Sequence, residues 1–314
     1  MWGIDIGDEP SALDFENLDR VARLTKGAGY GLLPYLNLYP NYAAVSQNTD
    51  GEVLNQLGTD TYEEHIAEYV QKVDLPYISY DYYLYPQTKN HNVGKMLDNF
   101  RIVADACRRS GKAFWYIPQV NDRRAEAAPP TLNMLRYQAY HALAFGATVI
   151  NWACYTAGWW CHNVLDENGN KTEQYEKLKS MNRELRAIAE EYMRYKNVDT
   201  HLVGFESEDW SASFAHLHPK RVLSCGFAKD LTADGGSLVV GEMVHKENAD
   251  RHALLACNAS DPCDEAASVA KVTFVSHSRR VQIHSGAEKV TLERTGDTYS
   301  FLLAANHGVM ITFE

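Results

Sequence analysis

What most constrains this chain is an alternation. Short apolar runs give way five times to stretches with apolar residues at helical spacing, and then helical spacing stops. The runs are WGIDIGD at 2–8, GLLPYLNL at 31–38, PYISYDYY at 76–83, AFWYIPQV at 113–120 and TVINWACY at 148–155, each read as a strand. Between them, Leu13, Phe15, Leu18, Val21, Ala22 and Leu24 form one helical stripe, closed by Gly27 and Gly29. Ile66, Tyr69 and Val70 mark a second helix near 60–73, and Val93, Met96, Leu97, Phe100, Val103 and Cys107 a third that stops at Gly111. A fourth carries Leu132, Leu135, Ala139, Ala142 and Leu143 after Pro129-Pro130, and a long charged helix is expected over about 172–196.

Strands that each feed a helix through short connections imply a parallel sheet wound in one sense. No GxGxxG or GxxxxGK[ST] loop follows any of them, so the phosphate cradle of nucleotide-binding sheets is missing. Polar residues gather instead at the C-terminal strand ends: Asp8 and Glu9, Asn37, Asp81, Gln119, and Asn151 with Tyr155. A (β/α)8 TIM-barrel-type domain keeps its active site there, drawing on several strands, whereas a doubly wound sheet draws on fewer. The expected fold is thus α/β, of barrel type, over residues 1–197. Over residues 198–314, runs such as SLVVGEMVH, AKVTFVS, RVQIHSG and VMITFE alternate between Gly, Asp, Asn and Ser turns. That pattern predicts an all-β, sandwich-like accessory domain that braces the first.

Composition excludes several classes. Forty-one acidic residues against 30 basic ones give a net charge of −11 with no basic cluster, which disfavours nucleic acid and phosphorylated substrates. No apolar run is long enough for a membrane span. Twelve histidines show no HExxH-type spacing, so no metal and no cofactor is expected. The six cysteines lack any CxxC pair and read as reduced thiols, with Cys154–Cys161 and Cys257–Cys263 as the alternative pairings. The chain opens in a strand pattern rather than in the charged and apolar regions of a signal peptide, and the compartment stays open.

Strict alternation along the first strand would put Gly3, Asp5, Gly7 and Glu9 on one face and Trp2, Ile4 and Ile6 on the other. The isoleucine face suits packing on helices, so Asp5 and Glu9 are expected to look inward, Glu9 at the mouth. By the same count Ser79 and Asp81 share the inner face of PYISYDYY. Two carboxylates converging from different strands form an acid/base or acid/nucleophile pair, and crowding by Asp8 or Asp5 would raise the acid's pKa. Aromatic faces stack on sugar rings while amides pair with hydroxyls. Trp152, Tyr155 and Tyr83 are therefore candidate platforms, ahead of others such as Tyr39 and Trp159. Asp8, Asn37, Gln119 and Asn151 are candidate substrate-binding groups.

The order WGIDIGDEPSALDFENLDRV, YLNLYPNYA, YISYDYY, FWYIPQV and GATVINWACY resembles the barrel glycoside hydrolases. The likeness is to the β-galactosidase-like members of the large retaining clan and their bacterial relatives. In that clan an Asn-Glu-Pro-type motif ends strand four and carries the acid/base. Asp8-Glu9-Pro10 is similar, so the resemblance implies Glu9 as proton donor. It also implies that the chain holds strands four to eight and lacks the first three strand–helix units. The barrel edges would then be unpaired, with a tendency to self-association. The clan's nucleophile is a Glu at the end of strand seven, where the matching segment here has Gln119; Asp81 is then the candidate nucleophile or base. The resulting expectation is a glycosidase acting on an oligosaccharide or glycoside with a β-linked sugar such as a galactoside. The alternative is a non-catalytic carbohydrate-binding protein or an inactive glycosidase remnant.

Overall fold

A computed structural model of the chain describes residues 3–43, 45–47, 53–85, 91–122, 124–155, 158, 160–205, 218–264 and 268–314. Trp2 and Trp159 lie outside the described residues. The chain divides into two compact units. The first comprises Met1–Tyr82, Asn99–Ile117 and Ala147–Asn151; the second comprises Tyr83–Asp98, Pro118–Gly146 and Trp152–Glu314.

The first unit is built on parallel strands. Strand β1 (Gly3–Asp8) pairs with β2 (Leu33–Asn37), and a parallel bridge from Leu38 to Tyr80 continues the order into β5 (Tyr77–Tyr82). A short antiparallel hairpin, β3 (Val45–Gln47) and β4 (Val53–Asn55), intervenes in the chain after β2. Strands β6 (Ala113–Pro118) and β7 (Ala147–Ile150) complete the sheet, giving five parallel strands in chain order.

Three helices lie on one face of that sheet. Helix α1 (Phe15–Gly27) brings Leu18 against Gly7 of β1, and Phe15 packs edge-on to Tyr69 of α2 (Tyr62–Lys72) at 5.7 Å. Helix α2 starts at a capping box: the Thr61 hydroxyl accepts from the Glu64 amide while the Glu64 carboxylate accepts from the Thr61 amide. From α3 (His91–Ser110), Phe100 enters a cluster with Tyr80, Phe114 and Tyr116, all essentially buried. Helices on one face of a sheet in chain order follow the barrel-type winding, since a doubly wound sheet reverses and carries helices on both faces.

The second unit carries α4 (Leu132–Ala144), α5 (Glu173–Tyr192) and two antiparallel sheets. One sheet has six strands: β8 (Tyr195–Val203), β10 (Leu238–His245), β11 (His252–Asn258), β13 (Val281–Ser285), β14 (Glu288–Thr291) and β17 (Gly308–Phe313). The other has β9 (Lys229–Asp234), β12 (Ala270–Val275), β15 (Arg294–Thr295) and β16 (Thr298–Leu303). Val240, Leu254 and Ile311 from the first sheet share one core with Val272, Phe274 and Leu303 from the second, the arrangement of a β-sandwich. No disulfide forms among the six cysteines. No described helix is long and apolar enough to cross a membrane.

The long charged helix is shorter than its sequence pattern suggests. Helix α5 ends at Tyr192, and β8 begins at Tyr195, inside the segment read as helix. Arg194 closes the turn by pairing with Glu190 and Glu191.

Within this unit α4 lies directly on the six-stranded sheet, and two glycines make that approach close. A Cβ on Gly241 would stand 2.2 Å from the Ala144 carbonyl oxygen, and one on Gly308 2.3 Å from the Tyr140 ring. The Ala144 carbonyl, left over at the end of α4, accepts from Asn197 Nδ2 at 2.9 Å and Thr200 Oγ1 at 3.0 Å. Gly241→Ala is therefore expected to cost about 1–3 kcal/mol or more, because the methyl meets backbone that cannot swing away and dislodges those two donors. Gly226, which has open space where its Cβ would be, serves as the control, with Gly226→Ala expected to change stability by less than ~0.5 kcal/mol. Denaturant midpoints of the two variants against the parent check this.

Candidate active site

The inward face of β1 is set by a slip in register. Asp5 pairs with Tyr35, but Gly7, not Ile6, pairs with Leu36, so one residue of β1 is extra. The Asp5 carboxylate turns back along its own strand and accepts from the Gly7 amide at 3.0 Å. Beyond the slip the facing is inverted. Gly7 points at Leu18 of α1, and Asp8 takes the opposite face, away from the helices. Strict alternation from Gly3 to Glu9 therefore fails, and Ile4 is 43% exposed rather than packed on a helix.

Asp8 meets Asn37, whose Nδ2 donates to Asp8 Oδ1 at 3.2 Å and to Asp81 Oδ1 at 2.6 Å. Asp81 sits near the end of β5 and is 4% exposed. The Asn37 Oδ1 accepts from Ser79 Oγ at 3.2 Å, and Ser79 Oγ lies 2.9 Å from the Tyr35 hydroxyl, which the Asn151 side chain also reaches. Below this polar layer the same face is aromatic. Tyr77 stacks on Trp115 with centroids 3.9 Å apart, and Tyr35 lies parallel to both. The Tyr77 hydroxyl is spent on the backbone of β2, donating to the Pro34 carbonyl and accepting from the Leu36 amide.

Glu9 follows β1 directly, at φ 48°, a left-handed conformation that a non-glycine residue holds only when its surroundings impose it. Its amide donates to the Asn37 carbonyl at 2.9 Å, which fixes the turn. Burial, then the nearby charges of Asp81 and Asp8, push the Glu9 carboxyl up from its ordinary 4.5 to about 7. Tyr39, just past β2, has its hydroxyl pushed up by burial and by the Glu9 charge, and hydrogen-bonds Gln56. Four of the sequence candidates (Asp8, Glu9, Asn37 and Asp81) thus form one cluster, and Asn151 joins it through Tyr35. Ser79 and Tyr35 are additions that spacing alone does not single out as site groups. Among the described residues no group of three or more His, Cys, Asp or Glu is disposed to hold a metal ion.

The other candidates belong to the second unit. Gln119 is fully buried, and both ends of its amide are engaged by backbone. Its Oε1 accepts from the Tyr85 amide at 2.9 Å, and its Nε2 donates to the Asn121 carbonyl at 2.7 Å. Its own backbone is held by the Gln138 side chain in both directions. In this structure Gln119 braces the loop after β6. Trp152 donates its indole N–H to Asn182 Oδ1 at 3.0 Å, Tyr83 packs edge-on to Trp160 at 5.0 Å, and Tyr155 is 51% exposed.

No family model matches the chain, and no curated protein matches it. Solved structures similar to it include a GH30 endoxylanase from Clostridium papyrosolvens, 12% identical with TM-score 0.42, aligned over 100% of this chain and 66% of that one. An alpha-amylase from Geobacillus thermoleovorans aligns at 10% identity and TM-score 0.46 over 96% of this chain and 57% of that one. A glucosidase from Croceicoccus marinus aligns at 10% identity and TM-score 0.38 over 98% and 67%. The chain thus spans between 57% and 67% of the lengths of these proteins.

The Glu9 carboxyl generates a pH dependence that needs no substrate. Between pH 4.5 and about 7 the folded chain holds a proton that the unfolded chain releases, so stability falls as pH rises through that window. Glu9→Gln, which cannot ionise, is expected to flatten this part of the profile. Denaturant midpoints measured from pH 4 to pH 8 on both proteins check it, and an unchanged slope in the variant contradicts the assignment.

Proposed function

We propose that the chain is the catalytic portion of a glycoside hydrolase, with Glu9 as general acid/base. The observation that carries this reading is one carboxyl group poised near neutrality beside two other carboxylates at the C-terminal ends of parallel strands. A group titrating at about 7 can protonate a leaving glycosidic oxygen and take a proton back at ordinary pH. Asp81, buried and hydrogen-bonded through one oxygen to Asn37, is the nucleophile at the anomeric carbon in a retaining reaction or the base for water in an inverting one. Asp8, Asn37 and Asn151 supply polar contacts to sugar hydroxyls, and Tyr83, Trp152 and Tyr155 are the aromatic platforms of the same reading.

The substrate in this proposal is a β-linked sugar, a β-galactoside first, on the β-galactosidase-like resemblance of the motifs around Asp8-Glu9-Pro10. Residues 198–314 act as an accessory β-domain, and the strands of the first domain are four to eight of an eight-stranded barrel. A second reading, a carbohydrate-binding protein without turnover, is favoured by one observation. The position that the resemblance matches to the nucleophile is Gln119, and its amide is locked to backbone. Oligosaccharide binding by calorimetry with no product released would decide for it.

The test of the acid is leaving-group dependence. Glu9→Gln is expected to slow hydrolysis of a β-glycoside with a poor leaving group by about a hundredfold or more, while an activated aryl glycoside is slowed far less. The parent's kcat/KM on the poor substrate should fall as pH rises past about 7, where Glu9 loses the proton it must donate. Equal rates for parent and variant on the poor substrate would assign the acid elsewhere.

A further inference from the structure

The segment that follows the β3–β4 hairpin is fixed against the segment that follows Glu9. The Ala12 amide donates to the Leu57 carbonyl at 2.8 Å, and His65 Nδ1 meets the same carbonyl at 2.9 Å. Gly58 lies so near that a Cβ on it would stand 2.2 Å from Ser11 Oγ. Within the segment, Asn55 Nδ2 donates to the Thr59 carbonyl and Asn55 Oδ1 accepts from the Gly58 amide, both at 2.9 Å. Leu57 is buried. Gln56, between these two anchored neighbours, is exposed, and its side chain hydrogen-bonds the Tyr39 hydroxyl.

Tyr39 reaches the same place from the end of β2. The residue before it is tied to β5, the Leu38 amide donating to the Ser79 carbonyl at 2.9 Å. The Tyr39 ring stands 6.4 Å from that of His65, tilted by 59°. Two residues back, the Asn37 carbonyl takes the Glu9 amide, so the turn that carries the acid and the strand end that carries Tyr39 are one joined structure. The hydroxyl is close enough to the Glu9 carboxyl for that charge to raise it, burial being the larger cause. A phenol has one proton to give and two lone pairs. One bond to an amide therefore leaves the Tyr39 oxygen with capacity for a ligand, on a side chain that is only half-buried.

We propose that the Tyr39 hydroxyl, held in place by Gln56, binds a hydroxyl of the leaving sugar and makes the site selective for oligosaccharides over simple alkyl glycosides. The inference rests on the reading of Glu9 as proton donor. A general acid must touch the oxygen that departs, so a polar group beside the acid meets the leaving residue. A leaving sugar carries hydroxyls on carbons that flank the glycosidic oxygen, whereas leaving methanol carries none. Tyr39 is thus a specificity-determining residue, and Gln56 is the positioning residue behind it.

The experiment compares, for one donor sugar, two substrates with similarly poor leaving groups: a β-linked disaccharide and the methyl β-glycoside. Lactose, cellobiose and xylobiose are the probes, each set against the methyl β-glycoside of its own donor sugar. A disturbance of Glu9 by a change at Tyr39 slows both members of a pair alike and cancels in the ratio of their kcat/KM values. Tyr39→Phe keeps the ring and loses only the hydroxyl. For a pair that the parent hydrolyses, it should lower the disaccharide-to-methyl ratio about threefold to tenfold. Gln56→Ala should lower that ratio in the same direction with an unchanged denaturant midpoint, because Asn55 and Leu57 anchor the segment without it. An unmoved ratio in either variant overturns the proposal, whatever happens to the individual rates. If the parent hydrolyses none of the probes, the reading of Glu9 fails by itself, and the same disaccharides are titrated into parent and Tyr39→Phe by calorimetry. Weaker binding in the variant upholds the sugar contact at Tyr39. Equal affinity, or no binding to the parent, overturns it.

Discussion

Three carboxylates share one end of the parallel sheet, and Asn37 is the residue that reaches all of them. Asp8 and Asp81 come from strands on either side of β2, and the Asn37 amide between them donates to both. The Asn37 backbone carbonyl meanwhile accepts from the Glu9 amide and holds the chain in its left-handed turn. One residue thus fixes the positions of all three acids, through its side chain for two and its main chain for the third. Repulsion among them is expressed on Glu9, whose carboxyl is driven toward neutrality first by burial and then by its neighbours. A site of this kind divides labour among like groups by environment rather than by residue type.

The register slip in β1 is what makes that geometry available. A regular strand would have sent Asp8 toward α1 and put Gly7 on the polar face. The extra residue at Ile6, pinned by the Asp5 carboxylate on the Gly7 amide, swaps the two. Glycine suits the swap because the helix-facing position is tight: a Cβ there would approach Leu36 Cδ1 to 2.9 Å. The GDEP run can therefore be read as a unit, with Gly7 letting the strand lie against α1, Asp8 facing Asn37 and Glu9 turning over the end.

Much of this was legible in the sequence, and the parts that were not have identifiable causes. The five parallel strands stand out because each is a compact apolar run between breakers, and the pattern of PYISYDYY puts Ser79 and Asp81 on one face, as the structure does. The slip at Ile6 is invisible to a count by twos, because a bulge changes pairing without changing composition. The end of α5 is hidden for another reason. No Gly or Pro separates Tyr192 from Tyr195, and the turn is closed by Arg194 on two glutamates of its own helix, so the charge pattern continues while the backbone changes. Ser79 escaped notice as a site group because a serine inside a strand carries no chemical signature until its partners are known.

Gln119 shows why a polar residue at a strand end is weak evidence of a ligand. A loop that leaves a parallel sheet carries backbone donors and acceptors that the sheet no longer serves, and each one buried must find a partner. A glutamine amide supplies one of each on a long stem, and here it does so for the Tyr85 amide and the Asn121 carbonyl, while Gln138 does the same for Gln119 itself. Two stacked amides replace the hydrogen bonds the sheet stops providing. A carboxylate could not take this place, since it has no donor for the Asn121 carbonyl and would carry an unpaired charge into a fully buried position. The amide here follows from the folding of the loop.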